Sequence, residues 1–156
     1  MPRYIDLKNY GRAIPDKDDP TKEPYPGKDK WIAERLLALR HDLRQKITDK
    51  RRADSLIVAS WNLVAFDGGR PRLDESFHYL AEIISCFDIC ALQEIKPDLG
   101  PLKRLIWLLG PNWDYFVTDA GHHEGANSER MAFVYNTDKV FFRKLVGEIV
   151  FPRSAL

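Results

Sequence analysis

Leu56-Ile57-Val58-Ala59-Ser60-Trp61-Asn62 and, after a helical interval, Asp88-Ile89-Cys90-Ala91-Leu92-Gln93-Glu94 decide the fold. Each is a short apolar run with β-branched residues, closed by a polar one, as strands buried in a parallel sheet are. Between them Gly68, Gly69 and Pro71 mark a loop, and Asp74 opens a helix with Phe77, Leu80, Ala81, Ile84 and Phe87 on one side. Strand, helix, strand over about 40 residues is a βαβ unit. A right-handed crossover leaves both strand C-termini on one edge of the sheet, so Asn62 and Glu94 are expected side by side.

Downstream, Lys96 to Pro101 is a loop, and Leu102, Leu105, Ile106 and Leu109 predict an amphipathic helix stopped by Gly110-Pro111. Trp113, Tyr115 and Val117 alternate with Asp114, Phe116 and Thr118, a strand pattern. After the polar stretch Asp119 to Glu129, two more strands are predicted, Met131 to Tyr135 and Val140 to Phe151, joined at Asn136-Thr137-Asp138. The order β-α-β-α-β-β-β is an α/β fold.

Upstream, Asp29 reads as the N-cap of a leader helix whose apolar stripe is Ile32, Leu36, Leu39, Leu43 and Ile47. Its other face carries Arg35, Arg40, Arg44 and Lys46; from Lys28 to Ala53 there are nine basic and four acidic residues. Such a face can touch phosphates, although a charged helix face is ordinarily just solvated. Five of the ten prolines fall in the first 26 residues, among charges, so 1–27 reads as an irregular arm with Tyr4, Ile5 and Leu7 as weak anchors. The expected division is this arm, a basic amphipathic leader at 28–54, and the α/β part at 55–156.

With 156 residues, 44% apolar and 30% charged, the chain has the composition of a folded globular protein. Lys and Arg number 24 against 23 Asp and Glu, so no global basic field favours nucleic acid and an anionic partner must be held locally. Cys86 and Cys90 are too few for a disulfide framework and read as buried free thiols. No apolar leader follows Met1 and no run reaches about 18 apolar residues, so the expectation is a cytoplasmic chain without a membrane span.

Ligands of open α/β sheets gather at the carboxyl ends of strands, which directs attention to Asn62 and Glu94. Mg²⁺ takes one or two protein carboxylates, keeps several waters and binds phosphate oxygens, so one well-placed Glu can anchor it. A neighbouring Asn carboxamide can bond a phosphate oxygen or hold a carboxylate in position. The bland alternatives are a solvated carboxylate and a turn-forming Asn. His122-His123 with Glu124 reads as a solvent loop, because sequential histidines do not readily converge on one ion, and 121–128 reads as a mobile substrate-side loop. Trp31, Trp61, Trp107 and Trp113 read as core or boundary aromatics.

The stretch Leu56 to Leu63 resembles the opening motif of the endonuclease/exonuclease/phosphatase superfamily, the deoxyribonuclease-I-like proteins, in which an apolar strand ends in Trp-Asn. Asp88 to Glu94 is similar to its second motif, an Asp-Ile strand running into Leu-Gln-Glu, and Glu129 to Asn136 resembles a later strand whose arginine faces phosphate. The resemblance covers Ser55 to Phe151 and implies a four-layer α/β sandwich, of which this chain would hold the N-terminal half. It implies that Glu94 is the carboxylate ligand of Mg²⁺ or Mn²⁺, that Asn62 contacts the metal-bound phosphate region and that Arg130 pairs with a substrate phosphate.

Members of that superfamily complete the site with a Gly-Asp-x-Asn segment and a C-terminal Ser-Asp-His, and neither occurs in these 156 residues. The expectation is therefore a metal-dependent phosphoesterase acting on a phosphodiester, nucleic acid among the candidates, present as a truncated chain that is inactive alone and self-associates through its incomplete sheet. Two alternatives stay open: a non-catalytic module binding phosphate or nucleic acid on the same half-fold, and a purely structural remnant.

Overall fold

The apolar run at 56–62 becomes strand β1 (Val58–Phe66) and the second becomes β2 (Ile89–Ile95). A computed structural model describes residues 2–5, 7, 27–66, 72–118, 130–143, 145 and 147. The two strands pair in parallel, from Val58 opposite Ile89 to Asn62 opposite Gln93. Helix α2 (Ser76–Ile84) connects them and buries Phe77, Leu80, Ala81 and Ile84. Strand β4 (Arg130–Asn136) pairs antiparallel with β2, and β3 (Trp113–Val117) antiparallel with β4, giving the sheet order β1-β2-β4-β3. The class is α/β, as the alternation of apolar patterns requires.

One face of the sheet carries the core. Leu63, Cys90, Leu92, Ala132, Val134 and Trp113 pack with α2 and with Leu102, Leu105, Leu108 and Leu109 of helix α3 (Gly100–Leu109). Helix α3 starts where the Asp98 Oδ1 accepts the Gly100 N–H at 2.9 Å, with Pro101 inside its first turn, and stops at Gly110 with φ 109°. Cys86 and Cys90 are both buried free thiols, and burial pushes the Cys90 thiol up to about 11.

The start of the βαβ unit is pinned by Asp88. Its fully buried carboxylate accepts the Ile57 N–H at 2.8 Å and pairs with Arg51 at 3.2 Å, while Arg51 also donates to the Cys86 carbonyl at 2.9 Å. The Asp88 side chain thereby fixes where β1 enters the sheet beside β2.

The leader forms helix α1 (Lys28–Lys46) followed by a 3-10 turn (Thr48–Lys50). It begins one residue before the expected cap: Gly27, at φ 83°, is the boundary residue and Asp29 sits in the first turn. Glycine suits that left-handed position, which no side-chain cap then needs to fill. Ile32 and Leu36 are buried as predicted, but Leu39, Leu43 and Ile47 are only half-buried because the helix runs past the edge of the core. The basic face is largely paired: Arg40 with Glu82, Arg44 with Asp49 and Lys46 with Asp42.

The arm's first residues dock. The Arg3 N–H donates to the Leu108 carbonyl at 2.6 Å and its guanidinium lies over Trp107, while the Tyr4 hydroxyl donates to Glu82 and accepts from Arg40. Tyr4 is therefore an anchor and Ile5 is not, being 64% exposed. Trp113 is buried and Trp61 partly so, whereas Trp31 and Trp107 lie at the surface under arginines.

The predicted strand from Val140 to Phe151 is corrected in its first part. After β4 the Asn136 carbonyl accepts the N–H groups of Lys139 and Val140, the chain turns, and 140–143 make no ladder. Phe142 instead stacks on Phe116 at 4.7 Å, so the chain leaves the sheet edge to cover an aromatic on its outer face. Most of 144–151, the loop at 121–128 and the His122-His123 pair lie outside the described residues. Among the described residues no helix is long and apolar enough to cross a membrane.

Candidate functional site

At the carboxyl end of the parallel pair the ladder breaks. Asn62 is opposite Gln93 and Phe66 opposite Ile95, so residues 63–65 of β1 face Glu94 alone. On the other side of β2 the register also shifts, Leu92 being opposite Ala132 and Ile95 opposite Arg130. Both irregularities centre on Glu94, and bulges of this kind re-aim side chains beside functional sites.

The backbone is strained at the same place. Val64, Ala65 and Glu94, at φ 49°, 47° and 61°, are the non-glycine residues with positive φ among those described. Such conformations cost on the order of 1–3 kcal/mol each and persist only where the surroundings over-determine them. A β-branched valine is particularly ill suited to it.

What holds them is a closed set of hydrogen bonds. The Asn62 Nδ2 donates to the Glu94 Oε1 at 2.5 Å, and the Asn62 Oδ1 accepts the Val64 N–H at 2.8 Å. The Ala65 N–H donates to the Glu94 Oε2 at 2.7 Å. These partners fix which end of the Asn62 carboxamide faces Glu94. The Ala65 N–H bond first, and the Asn62 bond second, hold the Glu94 carboxyl below its ordinary value of 4.5, with Lys96 adding a smaller push the same way. Glu94 is thus an ionised, oriented carboxylate with a free lone pair left on each oxygen.

The sequence-predicted residues fall as follows. Asn62 and Glu94 are in direct contact, as the βαβ reading requires. The Asn62 carboxamide donates to Glu94 and accepts from the Val64 N–H. Arg130 reaches the same end of the sheet opposite Ile95, but no hydrogen bond or ion pair joins it to Asn62 or Glu94. It lies two residues from buried Ala132 on the helix-facing side, and its Nε is buried without a hydrogen-bond partner.

The donor set suits a hard divalent cation held by one carboxylate, with water and ligand oxygens completing its shell, as Mg²⁺ is commonly bound. Among the described residues no group of three His, Cys, Asp or Glu converges.

Arg72 was not legible from sequence. It follows Gly68, Gly69 and Pro71 in the sequence and donates from Nη2 to the Leu63 carbonyl and, at 3.1 Å, to the Val64 carbonyl. The Ala65 N–H was equally invisible, since no residue type at 64 or 65 announces a left-handed backbone. The chain matches no protein-family model and no curated protein.

Proposed function

We propose that Asn62 and Glu94 form a divalent-cation site of the endonuclease/exonuclease/phosphatase type, and that the chain is half of a metal-dependent phosphoesterase, inactive by itself. One observation carries the reading: backbone strain at Val64, Ala65 and Glu94 is spent on presenting a single ionised carboxylate at the carboxyl edge of a parallel pair. A merely solvated glutamate needs no such support.

Glu94 would hold Mg²⁺ or Mn²⁺. The metal, when bound, neutralises charge on the oxygens of a phosphoester. Asn62 keeps Glu94 in place and offers its remaining N–H to a phosphate oxygen. Arg130, from the neighbouring strand, supplies a planar cation that can pair with phosphate once its side chain turns toward the site. The Gly-Asp-x-Asn and Ser-Asp-His segments that would supply the catalytic Asp and His do not occur in these 156 residues.

The second reading keeps the cation and drops the hydrolysis: a non-catalytic module that binds phosphate or nucleic acid. The two readings agree on the cation and differ on hydrolysis once the missing half is supplied. The test is Mg²⁺-dependent hydrolysis of bis-nitrophenyl phosphate and of plasmid DNA. No turnover is expected from the chain alone; turnover abolished by Glu94→Gln would show a complete enzyme instead.

Self-association is proposed on the same grounds. Val58, Phe116 and Phe133 alternate away from the helix-packed face; Phe142 stacks on Phe116, and Val58 is left 66% exposed. An apolar sheet face of this kind is covered by a second copy in the proposed arrangement.

A further inference from the structure

Arg72 grips two consecutive peptide groups from behind. The Leu63 carbonyl and the Val64 N–H belong to one peptide unit, and the Val64 carbonyl and the Ala65 N–H belong to the next. Arg72 donates to both carbonyl oxygens. The opposite ends of the same two units donate to the Asn62 Oδ1 at 2.8 Å and the Glu94 Oε2 at 2.7 Å. Described peptide bonds are all trans, so each C=O and its N–H point in opposite directions in one rigid plane. Turning an oxygen toward Arg72 therefore turns the N–H toward the site.

The grip has a firm base. The guanidinium lies 5.4 Å from the ring centroid of Phe66, which is 1% exposed. A cation on a carbonyl oxygen also polarises the amide, so the N–H on the other side becomes a stronger donor. The strained φ values of Val64 and Ala65 are what bring the two oxygens to one side.

We propose that Arg72 is a positioning residue of the Asn62–Glu94 site, acting through the Leu63–Val64 and Val64–Ala65 peptide planes on the two N–H donors that hold Asn62 and Glu94. The inference deepens the cation-site reading and rests on it for its function, though its structural half stands apart. Without the cation behind them, the two planes are free to relax toward ordinary extended backbone, and the carboxylate loses its strongest partner.

The experiment uses the full chain with Arg72→Met, which keeps length and removes the donors, Arg72→Lys, which restores a cation, and Glu94→Gln. Two readouts are taken: the shift and exchange protection of the Ala65 amide proton by NMR without metal, and Mn²⁺ affinity by electron paramagnetic resonance. Arg72→Met is expected to move the Ala65 amide upfield, strip its protection and weaken Mn²⁺ roughly tenfold, the scale of losing an outer partner of a metal ligand. Amides of Cys90 and Val134, in the middle of the sheet, should not move, and Arg72→Lys should recover most of both signals. An unchanged Ala65 amide in Arg72→Met, or a disturbance spread equally to Cys90 and Val134, overturns the proposal. If Glu94→Gln binds Mn²⁺ as wild type does, the cation reading fails, while the Ala65 amide still decides the role of Arg72.

Discussion

The Asn62 carboxamide and the Glu94 carboxylate touch at 2.5 Å across two parallel strands, and the Asn62 oxygen is at the same time tied to the Val64 N–H. One side chain thus links the end of β1 to the carboxylate at the end of β2. The contact exists because the strands run in parallel and stop together.

Removing it has a defined pH consequence. Glu94 is held below its ordinary value of 4.5, by the Ala65 N–H first and Asn62 second. A depressed carboxyl contributes stability above the unfolded value that is lost as pH falls through the folded one. Asn62→Ala should move the Glu94 carboxyl upward toward 4.5, read by carbon NMR of the side-chain carboxyl, with the Ala65 bond keeping part of the depression. A carboxyl that titrates identically in the variant would show that the Asn62 contact carries no weight.

Glu82 runs the other way. Burial raises its carboxyl to about 7 from 4.5, although Arg40 pairs with it at 2.8 Å. The folded chain then holds the proton more tightly than the unfolded one, so this contribution is full below about pH 4.5 and fades as pH rises through about 7. Relative to Glu82→Gln, wild type should lose thermal stability across that window. A wild-type advantage that grows toward neutral pH would mean that Arg40 and Tyr4 outweigh burial.

How far sequence reaches is visible at these residues. Apolar runs at 56–62 and 88–94, with one helix between, were enough to predict the parallel pair and the Asn62–Glu94 contact, because period and crossover rules act locally. The bulge was not legible: Val64 and Ala65 carry no turn chemistry, and their φ values are imposed by partners at 62, 72 and 94. The strand expected from Val140 is absent at 140–143, where the chain turns after Asn136 and Phe142 stacks on Phe116. Asp29 lost the cap to Gly27, whose backbone freedom sequence patterns weigh poorly.

Asp88, just before β2, should be a costly residue to replace. Fully buried, it accepts the Ile57 N–H and pairs with Arg51, whose side chain is 26% exposed, so its removal strands that N–H while water still reaches part of the guanidinium. Asp88→Ala is expected to cost about 1–3 kcal/mol by urea unfolding. A loss within about 0.5 kcal/mol, as at ordinary surface sites, would contradict that assignment.

The outer sheet face predicts concentration-dependent association by sedimentation velocity. Val58→Lys should shift the chain toward monomer without altering its circular dichroism, because Val58 lies outside the core and is 66% exposed. A wild-type chain that remains monomeric at high concentration would remove the second-copy proposal.

The most direct test of the central claim is Mn²⁺ binding by wild type and Glu94→Gln at neutral pH, in the metal-stripped chain. One site is expected, with an affinity that drops by at least about tenfold in the variant, since the substitution removes the single carboxylate anchor. Equal binding by the two proteins, or no binding by wild type at millimolar Mn²⁺, would contradict it.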